Sequence, residues 1–193
     1  MKTLIATGWM ALFGGLLFST NQQEEKTLLP LINSANVNLI ASKGVWLAEG
    51  KPFTGMLYEL SPEGDTLSLS GFDEGREHGR WKTFYRRAKP KAVRQYEHGK
   101  KIGVVKSWYE NGQPMSEASF KNDEYDGLMR EWAENGQPLR EANYNMGYEE
   151  GPQRAWYPNG KVRSNYVMVS GRRYGLLGTK NCANVSDRLL FLR

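Results

Sequence analysis

Four cations, Lys82, Lys106, Arg130 and Arg154, recur 24 residues apart. A row of like charge at fixed spacing is chemistry for holding an anion, such as an acidic peptide or lipid headgroups. The same row also arises when Lys and Arg stems cover an apolar stripe and keep their heads in water. Glu117 and Glu141 share a second column, and that periodicity reads as a solvated face rather than a catalytic dyad. The remaining metal-ligating and nucleophilic candidates are two histidines, His78 and His98, and one cysteine, Cys182. The histidines fall in neighbouring turns. A metal site needs a third ligand in reach, so they read as exposed turn histidines and no metal is expected. Cys182 has no second cysteine to pair with and no histidine near it in sequence to act as a base. It reads as a packed thiol, with an intermolecular disulfide as the alternative for an exported chain. No Ser-His-Asp spacing, glycine-rich phosphate loop or paired-carboxylate signature stands out, so no enzyme and no cofactor are expected.

The elements that must position these residues follow from a repeat. Gly55, Gly79, Gly103, Gly127, Gly151 and Gly175 each lie 24 residues from the next. Such self-similarity marks a repeat architecture. With each glycine counted as position one, the cations occupy position four. Position six is Leu60, Phe84, Trp108, Trp132 and Trp156, and position seven is tyrosine at Tyr85, Tyr109 and Tyr157. Position eighteen is Phe72, Tyr96, Phe120, Tyr144 and Met168. Asn111-Gly112, Asn135-Gly136 and Asn159-Gly160 supply the positive φ of tight hairpin turns, and a second turn falls near position twenty-one. Each unit reads as one β-hairpin between short aromatic and β-branched runs. The expected fold is all-β, an elongated single-layer antiparallel meander of about five hairpins with atypical caps. Side chains alternate along a strand. The expectation is that rings at positions six and eighteen lie over small residues at fourteen and sixteen, such as Ser116, Ala118 and Ala142.

At 193 residues the chain suits one domain. Its formal net charge of +5 mixes both signs and comes without a basic cluster, helix-turn-helix or zinc pattern, so nucleic acid is not an expected partner. Residues 1–20 have Lys2 and then an uncharged stretch from Leu4 to Phe18, followed by the polar Asn21-Gln-Gln-Glu-Glu-Lys. That layout is a secretory signal, or an uncleaved inner-membrane anchor, and points to a periplasmic or envelope location. Residues 21–42 read as a leader, 43–178 as the repeat domain and 179–193 as a C-terminal cap.

These columns resemble the MORN family, specifically its variant repeats in bacterial proteins of the YwqK antitoxin-like group. The resemblance is carried by Gly103-Val-Val-Lys-Ser-Trp-Tyr-Glu-Asn-Gly-Gln-Pro and its successor Gly127-Leu-Met-Arg-Glu-Trp-Ala-Glu-Asn-Gly-Gln-Pro. Gly151-Pro-Gln-Arg-Ala-Trp-Tyr-Pro-Asn-Gly-Lys and the opening Gly50-Lys-Pro-Phe-Thr-Gly carry it further. It implies an elongated meander of hairpins acting in protein contacts or at membranes, with no catalytic residues to transfer. The expected function is an exported protein–protein interaction module with an unidentified protein partner. Its candidate surface is Lys82, Lys106, Arg130, Arg154, Trp108, Trp132, Trp156, Tyr109 and Tyr157. The alternatives are a tether to an anionic membrane surface through the basic ladder, and an antitoxin-like partner-binding protein.

Overall fold

The computed structural model describes residues 29–178. The signal or anchor at 1–20, the cap at 179–193 and Cys182 lie outside the described residues.

The meander runs through β5 (Gly55–Leu60), β6 (Thr66–Asp73), β8 (Gly79–Phe84), β9 (Pro90–Glu97), β10 (Lys100–Trp108) and β11 (Pro114–Lys121). It continues through β12 (Glu124–Trp132), β13 (Pro138–Asn145), β14 (Tyr148–Trp156), β15 (Val162–Val169) and β16 (Arg172–Leu176). Each strand pairs with its sequence neighbour, apart from the short β7 (Arg76–Glu77), which pairs back onto β6. The sheet is therefore the long antiparallel meander that the 24-residue period implies.

Two kinds of turn alternate along it. At the Asn-Gly turns the Gly112 N–H donates to the Tyr109 carbonyl at 2.9 Å, and the Tyr109 N–H donates to the Gln113 carbonyl at 2.9 Å. The connection is thus a three-residue loop in which the glycine takes the left-handed place, with φ +88° at Gly112. Asparagine does not share the positive φ that the dipeptide leads one to expect. Its side chain works instead, the Asn111 Oδ1 accepting from the Gln113 N–H at 2.9 Å. The second turns are two-residue connections with positive φ at both positions, such as His98 (47°) and Gly99 (82°) or Met146 (46°) and Gly147 (81°). That is the type I′ geometry whose twist matches the strands it joins. Asn122 and Asp123 adopt it without glycine, at 52° and 73°.

Gly103, Gly127, Gly151 and Gly175 sit inside strands, and Gly55 and Gly79 open theirs, so the repeat glycines are not the turns between hairpins. Gly127 has φ +107° within β12. On its β11 side the register jumps from Phe120↔Tyr125 to Ala118↔Met129, leaving residues 126–128 as a bulge. On its β13 side Gly127 faces Tyr144. Gly103 and Gly151 occupy the same place in β10 and β14. The glycine is required because the bulge needs a backbone that side chains resist.

The register also corrects the expected faces. Positions one, three and five pair with eighteen, sixteen and fourteen, whereas position four pairs with fifteen: Val105↔Ala118, but Lys106↔Glu117. The buried cluster is Ala118, Met129 and Ala142, with Phe120 and Tyr144 packed against it. The rings over the small residues therefore come from column eighteen, with Met129 from column three. The tryptophans of column six are not in that cluster.

At the N-terminal end β1 (Leu31–Asn33) joins β5 in parallel. A small sheet of β2 (Leu39–Ser42), β3 (Val45–Ala48) and β4 (Lys51–Pro52) folds beside the meander. Its Leu39, Trp46 and Ala48 pack on Phe53, Leu57 and Phe72. This is a local second layer, and it buries the end of the apolar stripe that one hairpin could not cover.

Candidate functional site

The cation column lies in one continuous row across the strands. Register places Lys82, Val93, Lys106, Glu117, Arg130, Glu141, Arg154 and Asn165 side by side. The glutamates of column fifteen thus alternate with the cations. Lys106 Nζ lies 3.2 Å from Glu117 Oε2. Glu141 bridges two cations, Arg130 Nε at 3.1 Å and Arg154 Nη1 at 3.5 Å. Lys82 lies between Leu69 and Val93 and has no ion pair among the described residues. The basic ladder is therefore an alternating ladder over β10 to β14.

The tryptophans line shallow grooves beside it. Trp108 and Trp132 share a groove of about 270 Å³ with Lys106, Glu117 and Arg130. Trp132 and Trp156 share the next, about 250 Å³, with Arg130, Pro138 and Glu141. All three indole rings are half-buried, so each offers part of its surface to a ligand. The tyrosines of column seven are used differently. Tyr85 Oη donates to the Trp108 carbonyl at 3.0 Å, and Tyr109 Oη to the Trp132 carbonyl at 2.8 Å. Tyr109 thus fixes the backbone of the groove. Tyr157 remains exposed.

The opposite face carries an aromatic stripe. Ring centroids are 5.3 Å apart for Phe72 and Trp81, 4.9 Å for Trp81 and Tyr96, 4.6 Å for Phe120 and Tyr125, and 4.9 Å for Tyr125 and Tyr144. Lys101 Nζ sits 4.6 Å from the Phe120 ring centre. Burial pushes the hydroxyls of Tyr96 and Tyr144 above the ordinary tyrosine range. Tyr166 is raised as well, first by burial and then by its bond to Glu149, 2.9 Å away. Glu149 also lies 3.4 Å from Arg140 and 3.5 Å from Arg173. It gathers the end of the stripe into a polar cluster.

The histidines are not both exposed turn residues. His78 is half-buried, its ring centre 5.3 Å from that of His98. Asp73 reaches the same spot, and one ligand atom from each of the three lies within 4.8 Å of the others. Among the described residues His78 Nδ1 is buried without a hydrogen-bond partner.

Sequence reading named the tryptophan and cation columns but missed Tyr125, Glu149 and Asp73. Tyr125 and Glu149 share one repeat column with Lys101 and Arg173, and its mixed chemistry hid it. Asp73 became visible only when register brought two turns together.

The MORN repeat variant family matches residues 101–122, 125–146 and 149–166, three consecutive repeats. Those segments follow the hairpins β10–β11, β12–β13 and β14–β15. No curated protein matches the chain. Among solved structures, a crystal structure of an S. aureus TarM mutant in complex with Fondaparinux, alpha-GlcNAc-glycerol and UDP is 18% identical over 51% of this chain, with TM-score 0.31. A further crystal structure of TarM is 17% identical over 56%, with TM-score 0.32. The chain spans 20% and 21% of the length of those two chains. A likeness of that size says nothing about function, whereas the three repeats coincide with the tryptophan grooves.

Proposed function

We propose that this chain, a meander containing three consecutive MORN variant repeats, is a non-catalytic interaction module that grips an extended protein segment across its tryptophan face. The observation that carries the reading is the row of grooves in which Trp108, Trp132 and Trp156 each adjoin a cation. Alternate strands lie roughly 9–10 Å apart. One turn of polyproline II, three residues, covers about 9 Å and brings every third side chain back to the same side. One side chain in three would therefore meet each groove in step. Tryptophan and arginine are the types that dominate binding energy at protein interfaces, because they combine large contact area with a polar handle. Glu117 and Glu141 add acceptors for the backbone or cations of such a segment.

The alternation of charge favours a protein partner over an anionic membrane. A headgroup layer would meet carboxylates between the cations. Residues 1–20 support export, which puts the partner in the periplasm or cell envelope. An antitoxin-like role falls within the same partner-binding class.

The test is affinity capture from the native host with the wild-type chain and with Trp132→Ala. A partner held by the first and lost from the second supports the reading. Equal capture by both would overturn it.

A further inference from the structure

We propose that Asp73, His78 and His98 form a binding site for a divalent transition-metal ion of the zinc type, at the place where the turns of two neighbouring repeats meet. The site owes nothing to the tryptophan face.

The ligand set comes first. Two imidazoles and one carboxylate suit zinc, cobalt, nickel or copper, whereas calcium and magnesium prefer oxygen alone. The ligand atoms already lie within 4.8 Å of one another. Around a tetrahedral zinc at about 2.1 Å they would stand about 3.4 Å apart. Side-chain rotation of roughly an ångström reaches that spacing. Three protein ligands leave a fourth position for water or for a donor from another molecule.

The second observation is the orphan atom. His78 Nδ1 is buried and has no hydrogen-bond partner among the described residues, while buried polar atoms are ordinarily satisfied. Its backbone is held in place, the His78 N–H donating to the Gly71 carbonyl at 2.9 Å. His98 is fixed by a type I′ turn, at φ 47°, and the Gly99 N–H donates to the Glu77 carbonyl at 2.7 Å. The two turns are thus bonded to each other beside the cluster. A metal here would bridge chain segments that the ladder has already aligned, with little ordering left to do.

The third observation is the repeat itself. The equivalent positions at the next junction are Glu97, Ile102 and Asn122. After that they are Lys121, Asp126 and Met146, then Asn145, Glu150 and Ser170. Only the first junction carries two histidines and a carboxylate. The trio is therefore a local departure from the repeat grammar, not a product of it.

The experiment titrates the full chain with zinc chloride by calorimetry and with cobalt chloride by visible absorption. The wild type is compared with Asp73→Asn, His98→Asn and Cys182→Ser. Asparagine tolerates the left-handed backbone at position 98, so the turn should persist. One saturating equivalent is expected, with a cobalt spectrum of low coordination number and unchanged binding in Cys182→Ser. Each ligand variant should weaken binding by about tenfold or more. Zinc should also raise the thermal midpoint of the wild type and not that of Asp73→Asn, a readout that holds even if a variant is less stable. Absence of saturable binding by both zinc and cobalt overturns the site. So does affinity unchanged in both ligand variants.

Discussion

The Tyr109 hydroxyl donates to the Trp132 carbonyl of the next repeat at 2.8 Å. Tyr85 makes the same bond to Trp108 at 3.0 Å. These bonds stitch the turns at the same end of successive hairpins beyond what the strand ladder does. Ala133 breaks the series, being the residue of column seven whose counterpart would reach Trp156. Tyr109→Phe should cost about 1 kcal/mol. Ala133→Tyr should stabilise by a similar amount, about 0.5–1.5 kcal/mol. Urea midpoints at constant slope measure both. If Ala133→Tyr left the midpoint unmoved, the bond would not be a general stitch of the repeat.

Sequence columns made the meander legible because each carries one physical demand. Asn-Gly marks a turn, and the aromatic at position eighteen marks the packed stripe around Ala118 and Ala142. The faces were harder to read. Alternation by two assumes an unbroken ladder, but residues 126–128 bulge and the register slips again between Glu131 and Trp132. Counting parity from Gly127 through these irregularities put Trp132 on the wrong stripe. Glu141 was visible as a column, yet its bonds to Arg130 and Arg154 depend on strand pairing that no local spacing encodes. Asp73 and His98 are separated by a whole hairpin, and only the closed ladder makes them neighbours.

The glycine column can be tested as conformation against space. A Cβ at Gly103 meets nothing within 4 Å, so only its φ of +64° resists a side chain. A Cβ at Gly127 would lie 3.2 Å from Ser119 Cβ, at φ +107°. Gly103→Ala should cost about 1–2 kcal/mol, with Gly103→Asn recovering part of it. Gly127→Ala should cost more, about 2–3 kcal/mol, and asparagine should rescue it less. Chemical denaturation of the four variants checks the order. Equal costs at the two sites would mean that steric contact contributes nothing.

The raised tyrosines set the alkaline limit. Tyr96 and Tyr144 are held above the ordinary tyrosine value of 10.0 mainly by burial, and Tyr166 by burial and then by Glu149. A raised folded pKa means that the native state holds its proton more tightly than the unfolded chain. Their contribution is therefore whole below about pH 10 and falls as pH rises above it. Thermal midpoints should be insensitive to these groups near neutrality and decline from about pH 10 upward. Tyr144→Phe should shift part of that decline to higher pH. A decline unchanged in Tyr144→Phe and Tyr166→Phe would assign it to other groups.

Glu141 lies between Arg130 and Arg154, and Glu117 lies between Lys106 and Arg130 in register. The ion-pair side chains remain partly exposed, 45% for Arg130 and 28% for Glu141. Water and salt screen such pairs, so each contributes no more than about 1 kcal/mol. Their larger effect is on what the surface attracts. Glu117→Gln with Glu141→Gln adds two charges to the formal net charge of +5 and leaves the cation row uncompensated. Folding stability should drop by less than about 2 kcal/mol in total. Binding to vesicles rich in anionic lipid should rise well above that of the wild type and weaken with added salt. Flotation of both proteins at low and physiological salt measures this directly. If the wild type floated as well as the double variant, the carboxylates would not govern the face, and the membrane reading would displace the protein partner.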